Sequence, residues 1–171
     1  MNKTISTPRL RLAPLGEGDK EALIGMLTDE RIRATYMVPE LDTPEKQTAL
    51  FIRLRQLSLS DDRFVYGIFL GALPIGMIHE VERKGEGIEL GYFIATEQTR
   101  RGYASEALSA AIRELFAMGF PRVEAAAFVE NPASFRVMQK CGMAPTGETE
   151  RIEYRGRTHI CEYYAIDAPR A

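Results

Sequence analysis

The chain has 171 residues, 45% apolar and 27% charged, and its 22 basic and 24 acidic side chains leave a net charge of −2. The length fits one domain of about 150 residues, and the balance is that of a folded protein, which excludes disorder and fibrous repeats. The slight acidity excludes bulk nucleic-acid binding, which needs a large basic excess.

A domain of this size buries roughly 70% of the surface its unfolded chain exposes, so it requires no disulfide or metal staple. Cys141 and Cys161 therefore read as reduced thiols. Met1 to Pro8 lacks the apolar core of a signal peptide, and no run approaches the roughly 20 apolar residues that span a bilayer. The expectation is a cytoplasmic protein with neither membrane nor nucleic-acid partners. No linker or repeat divides residues 1–171, which read as one unit.

In chain order, a strand from Arg9 to Ala13 opens the fold, and Ala22, Leu23, Met26 and Leu27 follow at helical spacing behind Asp19. A second helix opens at Thr43 with Pro44 in its first turn, where the missing N–H costs nothing. Three strands, Arg63 to Leu70, Ile75 to Glu82 and Gly87 to Ala95, are separated by turn-forming residues and predict a meander. The period then changes: Ala104, Ala107, Leu108, Ala111, Ile112 and Leu115 form a helical stripe that ends near Gly119. A buried strand from Val123 to Val129, a helix capped by Asn131 and ended by Gly142, and strands at Gly147 to Tyr154 and Thr158 to Ile166 complete the chain. These predict an α+β fold: a mixed, mostly antiparallel twisted sheet of about seven strands flanked by about four helices.

The alternation Ile88, Leu90, Tyr92 puts Glu89 on the opposite face with Gly91 and Phe93. Pattern alone leaves open whether Glu89 is a wet residue of a half-exposed sheet or an embedded acid. The turn from Gln98 to Ser105 passes directly from strand to helix. Helix openings present unpaired N–H groups, so this one suits a phosphate or pyrophosphate, with Arg100 and Arg101 reinforcing it; an ordinary turn with two solvated arginines is the other reading. The glycine patterns of Walker and dinucleotide loops are missing.

Four blocks share an order and spacing with a known family. They are Thr7-Pro8-Arg9-Leu10-Arg11-Leu12, Ile88-Glu89-Leu90-Gly91-Tyr92, Arg101 to Leu108, and Asn131 to Ser134 continuing to Lys140-Cys141-Gly142-Met143. The sequence resembles the GNAT acetyltransferases, in the branch of the RimJ and RimL ribosomal-protein N-terminal acetyltransferases, over nearly the whole chain. Gly102 and Ala104 match the family's turn pattern, whereas Thr99 stands where a glutamine or arginine is usual and Gln98 lies one residue early.

The resemblance implies a GNAT fold and acetyl-CoA as co-substrate, with no metal. It assigns the coenzyme to Tyr92, Phe93, Ile94 and Ala95 on the strand, to Arg100, Arg101, Gly102, Tyr103, Ala104 and Ser105 at the turn, and to Asn131 beside the arm. Glu89 aligns with a strand-borne glutamate that serves as base, directly or through water; a carboxylate of ordinary pKa near 4.3 is a weak base, so burial would have to raise it. The oxyanion donor is a main-chain N–H of the Tyr92 to Ala95 strand. Many relatives carry a tyrosine acid seven residues after the asparagine, but that position here is Met138, which has no proton to give. Ser134 or solvent is left to protonate the departing thiolate.

An α-amine with a pKa near 7.8 is roughly 10–15% unprotonated at neutral pH, against less than about 0.1% for lysine, so an N-terminal amine demands less of the base. A protein or peptide N-terminus is the preferred acceptor; a small amine such as a polyamine, an amino acid or an aminoglycoside, and a non-catalytic coenzyme-binding module, are the alternatives. Whether the chain forms a homodimer stays open. His79 and His159 fit no metal-ligand spacing and read as ordinary strand or turn residues, and Cys141 as a packed small side chain. Arg31, Arg33, Tyr36, Tyr154, Arg155 and Arg157 fall in loops that border the acceptor cleft in relatives.

Overall fold

The structure, a computed structural model, describes residues 4–170. Its strands are β1 (Ile5–Ser6), β2 (Arg11–Ala13), β3 (Val65–Leu70), β4 (Leu73–Lys84), β5 (Gly87–Ile94), β6 (Arg122–Phe128), β7 (Ala144–Tyr154) and β8 (Arg157–Asp167). Its helices are α1 (Lys20–Leu27), α2 (Glu30–Arg33), α3 (Pro44–Leu59), α4 (Tyr103–Ala117) and α5 (Pro132–Lys140). The eight strands form one sheet in the order β1-β2-β3-β4-β5-β6-β8-β7. Only β5 and β6 run parallel, joined by the crossover through α4.

The predicted order holds, with two additions. A two-residue β1 and a single-turn α2 are too short to produce a periodic signal, so the expected seven strands and four helices become eight and five. The first predicted strand shrinks to β2 because Thr7 and Leu10 close a turn, the Thr7 N–H donating to the Leu10 carbonyl at 2.9 Å. Thr43 caps α3 by accepting from the Lys46 N–H, and Asn131 caps α5 by accepting from the Ser134 N–H, each followed by proline at the start of its helix. Asp19 precedes α1 as expected, but its carboxylate takes the Gly16 N–H at 2.7 Å instead of capping that helix.

Each sheet face carries its own core. Ile88 and Leu90 of β5 point to one, where they meet Leu108 and Leu115 of α4, Val123 and Ala125 of β6, and Met138 of α5. Phe93 points to the other, against Met77, Leu23, Leu27 and Phe51. Truncating a fully buried leucine such as Leu115 to alanine costs about 2–5 kcal/mol.

A bulge in β4 sets the side-chain pattern beside β5. Glu80 pairs with Leu90 but Glu82 pairs with Glu89, so the register slips by one residue at Val81. Side chains alternate with a period of two, so the slip moves Glu82 and Lys84 onto the face that holds Glu89, Gly91 and His79. Glu80 stays on the other face, buried. It accepts from the Phe64 N–H at 2.8 Å, from Arg63 at 2.7 Å and from Arg83 at 3.0 Å. Burial pushes its carboxyl up, but these bonds outweigh burial and hold it below its ordinary value of 4.5.

Glu80→Ala orphans the buried Phe64 N–H and should cost about 1–3 kcal/mol in a denaturant titration. The depressed pKa means that the wild-type contribution is complete above pH 4.5 and disappears as pH falls through the folded-state value. The stability gap between variant and wild type should therefore narrow in acid, and a gap independent of pH would contradict the role given to the ionised carboxylate.

Candidate active site

The parallel ladder between β5 and β6 has only three paired positions and ends at Leu90 and Ala125, although β5 continues to Ile94 and β6 to Phe128. Beyond that point the two strands separate in the middle of the sheet. The Ala95 N–H donates to the Ile75 carbonyl at 2.7 Å. Antiparallel alternation then turns the main-chain groups of Gly91 and Phe93 toward β4, and those of Tyr92 and Ile94 into the gap. A cleft of about 660 Å³ opens here, floored by Gly91 to Ile94 and by Ala126 and Ala127.

The N-terminus of α4 forms one wall. Arg100 (φ 62°) and Gly102 (φ 80°) both adopt the left-handed conformation, which aims the first turn of α4 at the cleft. Gly102 occupies the cap position and offers no side-chain acceptor, so no side chain caps this helix. A Cβ at Gly102 would also lie 3.3 Å from Arg9 Nη2. Arg9 fastens the turn from outside: its Nη1 donates to the Arg101 carbonyl at 2.8 Å, its Nε and N–H donate to the Glu106 carboxylate at 2.7 and 2.9 Å, and its guanidinium lies 4.6 Å above the Tyr103 ring. Thr7 donates to the same carboxylate at 2.6 Å. The first of the four family-like blocks is thus a brace for the helix opening.

Among the described residues, the cleft is lined by the cations Arg31, Arg100, Arg136 and Lys140 and by no carboxylate. The Gln98 side-chain oxygen, also in the lining, is buried without a hydrogen-bond partner. Uncapped helix N–H groups, a cationic rim, open strand amides and an orphaned polar atom fit an elongated anionic ligand that carries amide groups.

Of the residues predicted for the site, Tyr92, Phe93, Ile94, Arg100, Gly102, Tyr103, Ala104, Ser105, Asn131 and Ser134 line this one cleft. Glu89, Ala95 and Arg101 do not. Arg101 is exposed and contributes its carbonyl to the Arg9 brace, and Ala95 packs beside the second core. Met138 is wholly buried in the first core, and its thioether has no proton to give.

Glu89 lies two residues along β5 from Gly91 on the same face and is only 7% exposed. Burial pushes its carboxyl up; Lys84, with Nζ 3.3 Å from Oε2, opposes this, and the charges of Glu82 and Glu124 add to burial. Gly91 and Ala126, two positions along their strands from the paired Glu89 and Glu124, are small residues of the cleft floor. Across the cleft Tyr92 Oη and Ser134 Oγ share a hydrogen bond of 2.8 Å, and burial drives the Tyr92 phenol well above its ordinary value.

On the Glu89 side, Tyr36 lines the cleft and its hydroxyl meets His79 Nε2 at 2.5 Å. His79 Nδ1 lies 3.0 Å from the Glu80 carbonyl. A carbonyl only accepts, so Nδ1 carries the proton and Tyr36 donates to Nε2. Burial depresses the His79 pKa, which keeps the ring neutral.

The sequence pattern of the acetyltransferase (GNAT) domain matches residues 9–144, which include the Arg9 brace, the splayed strands and both helix openings. This chain belongs to the GNAT acetyltransferase family. The GNAT chain is 26% identical to the uncharacterized N-acetyltransferase YoaA of Bacillus subtilis (strain 168), over 97% of both chains. Its fold is similar to that of a GNAT-family acetyltransferase from Bacillus anthracis, at a TM-score of 0.82 and 25% identity over 96% and 98% of the two chains. It is also similar to RimL, a ribosomal L7/L12 alpha-N-protein acetyltransferase solved with coenzyme A, at a TM-score of 0.79 and 19% identity over 96% and 98%; that likeness concerns the fold.

Sequence reasoning set His79 aside as isolated. It also missed Arg136 and Lys140 as lining residues, although helical spacing puts them on one face with Ala133 and Val137. No sequence signal joins Lys84 to Glu89, because the bulge at Val81 decides on which face Lys84 emerges.

Replacing Lys84 by methionine removes the paired cation that favours the ionised form of Glu89 and leaves burial and the like charges of Glu82 and Glu124. Its pKa should rise further, read as a higher midpoint for the Glu89 carboxyl carbon in an NMR titration. A midpoint that stayed put or fell would show that Lys84 does not hold this carboxylate.

Proposed function

We propose that this GNAT enzyme transfers the acetyl group of acetyl-CoA to the free α-amine of a protein or peptide N-terminus, as a single catalytic unit in the cytoplasm. The observation that carries the reading is the cleft itself: strands separated mid-sheet, an uncapped helix opening at one end, and cations without a carboxylate around it. The pantetheine arm would pair with the open main-chain groups of Tyr92 and Ile94 as an added strand does. The phosphates would lie against the N–H groups of Tyr103, Ala104 and Ser105, with Arg100, Arg136 and Lys140 about them.

In this reading the bound thioester supplies an activated acetyl carbon. A main-chain N–H of the Tyr92 to Ile94 segment faces the developing negative charge on the carbonyl oxygen, which needs a donor fixed in advance. Glu89, outside the lining but on the same face, accepts the amine proton through a water that passes Gly91 and Ala126. Its raised pKa suits it to this work better than an ordinary carboxylate. Ser134 donates to the departing thiolate and Tyr92 backs it through their shared hydrogen bond. Asn131 holds α5, and with it Ser134, at the cleft wall.

Turnover of peptides with free N-termini should exceed that of polyamines, amino acids and aminoglycosides in an assay of coenzyme A release; turnover of small amines alone would overturn the acceptor. Glu89→Gln should lower kcat by about 10²-fold or more with coenzyme affinity kept, and unchanged turnover would remove Glu89 from the reaction. Arg100→Ala and Lys140→Ala should each weaken coenzyme binding and flatten its salt dependence, whereas Arg101→Ala should do neither. A stronger effect from Arg101 would reverse the assignment of the rim.

A further inference from the structure

The Tyr36–His79 pair joins residues 43 positions apart and has no place in the steps described so far. Several contacts hold it in one geometry. The Tyr36 ring packs against Phe93 with centroids 4.8 Å apart, and the Tyr36 carbonyl accepts from the Tyr154 hydroxyl at 3.3 Å. His79 is fixed by the Glu80 carbonyl, and its ring lies over Gly91: a Cβ there would stand 3.1 Å from both Cε1 and Nε2. The hydrogen bond therefore sits directly over the point at which β5 leaves β6.

Its polarity carries the inference. A phenol has one proton and two acceptor lone pairs. The proton is committed to Nε2, so the Tyr36 oxygen can offer the cleft only acceptor capacity. A partner there must bring an N–H or O–H. A carboxylate or carbonyl would meet lone pair against lone pair.

We propose that the Tyr36 oxygen is the docking point of the acceptor amine: it accepts one amine N–H, while His79 holds the phenolic proton away. Tyr36 is then a catalytic residue that touches substrate, and His79 a positioning residue that acts through it. The nitrogen lone pair, turned away from the Tyr36 oxygen, is left free to face the thioester. No proton leaves the amine at this contact; its removal stays with Glu89. Gly91 enters for its size: an added Cβ would press within 3.1 Å of both the imidazole and Val81 Cγ2. This inference rests on the acetyltransferase reading of the cleft.

The test is steady-state kinetics against a peptide amine, with acetyl-CoA affinity measured separately by calorimetry. Tyr36→Phe keeps the ring and its packing and should lower kcat/KM for the amine by about tenfold, mostly through KM, with coenzyme Kd unchanged within about twofold. His79→Leu should give a similar loss. His79→Gln, whose side-chain carbonyl can accept the phenolic proton, should restore most of it. The double variant Tyr36→Phe/His79→Leu should be no worse than either single variant, because each removes the same contact. An active wild type with an unaffected Tyr36→Phe, or additive losses in the double variant, would overturn this role and leave the acetyltransferase reading standing. A wild type that neither binds acetyl-CoA nor acetylates any amine would overturn both.

Discussion

The parallel pairing of β5 with β6 stops after three positions, and that interruption organises the rest of the molecule. Strand edges left open inside a sheet are costly, because every main-chain N–H and C=O needs a partner from protein, water or ligand. Here the cost becomes a binding site: β4 satisfies one edge of β5, β8 satisfies one edge of β6, and the inner edges face each other across a gap. A parallel pair also requires a crossover helix, and the connection that follows β5 brings the first turn of α4 to the same end. One topological decision therefore supplies open amides for a peptide-like arm and a positive helix terminus for an anion.

That helix terminus is held from a distance. Arg9 and Thr7 converge on Glu106 and on the Arg101 carbonyl, so the segment before β2 fixes the turn before α4. The Glu106 carboxyl is pushed up by burial but held below its ordinary value overall by the hydrogen bonds from Thr7 and Arg9. The left-handed turn at Arg100 and Gly102 would otherwise have few restraints, and a helix that fails to aim its N–H groups loses their cooperative field.

Two polar clusters lie on opposite walls and reflect the two faces of β5. Tyr92 points toward α5 and meets Ser134; Glu89 and Gly91 point the other way, toward Lys84 and the His79 ring. In the proposed reaction, the sheet thus separates the groups that would give a proton to sulfur from those that would receive one from nitrogen. Much of this was legible in the sequence. The alternation of Ile88, Leu90 and Tyr92 assigned Glu89 its face, Asn131-Pro132 announced the cap that positions Ser134, and Gly102 marked the helix opening. What stayed hidden depends on register. The bulge at Val81 turns Lys84 toward Glu89, and strand pairing brings His79 over Gly91 within reach of a tyrosine from the segment after α2. Such contacts arise from long-range pairing, on which local periodicity carries no information.

The most direct test of the central claim is a crystal structure of the chain with acetyl-CoA bound. The arm should run between β5 and β6 beyond Leu90 and Ala125, its amides paired with the main chain of Tyr92 and Ile94, and its phosphates against Tyr103 to Ser105. Coenzyme density outside that gap, or a gap closed by continued pairing of β5 with β6, would contradict the claim.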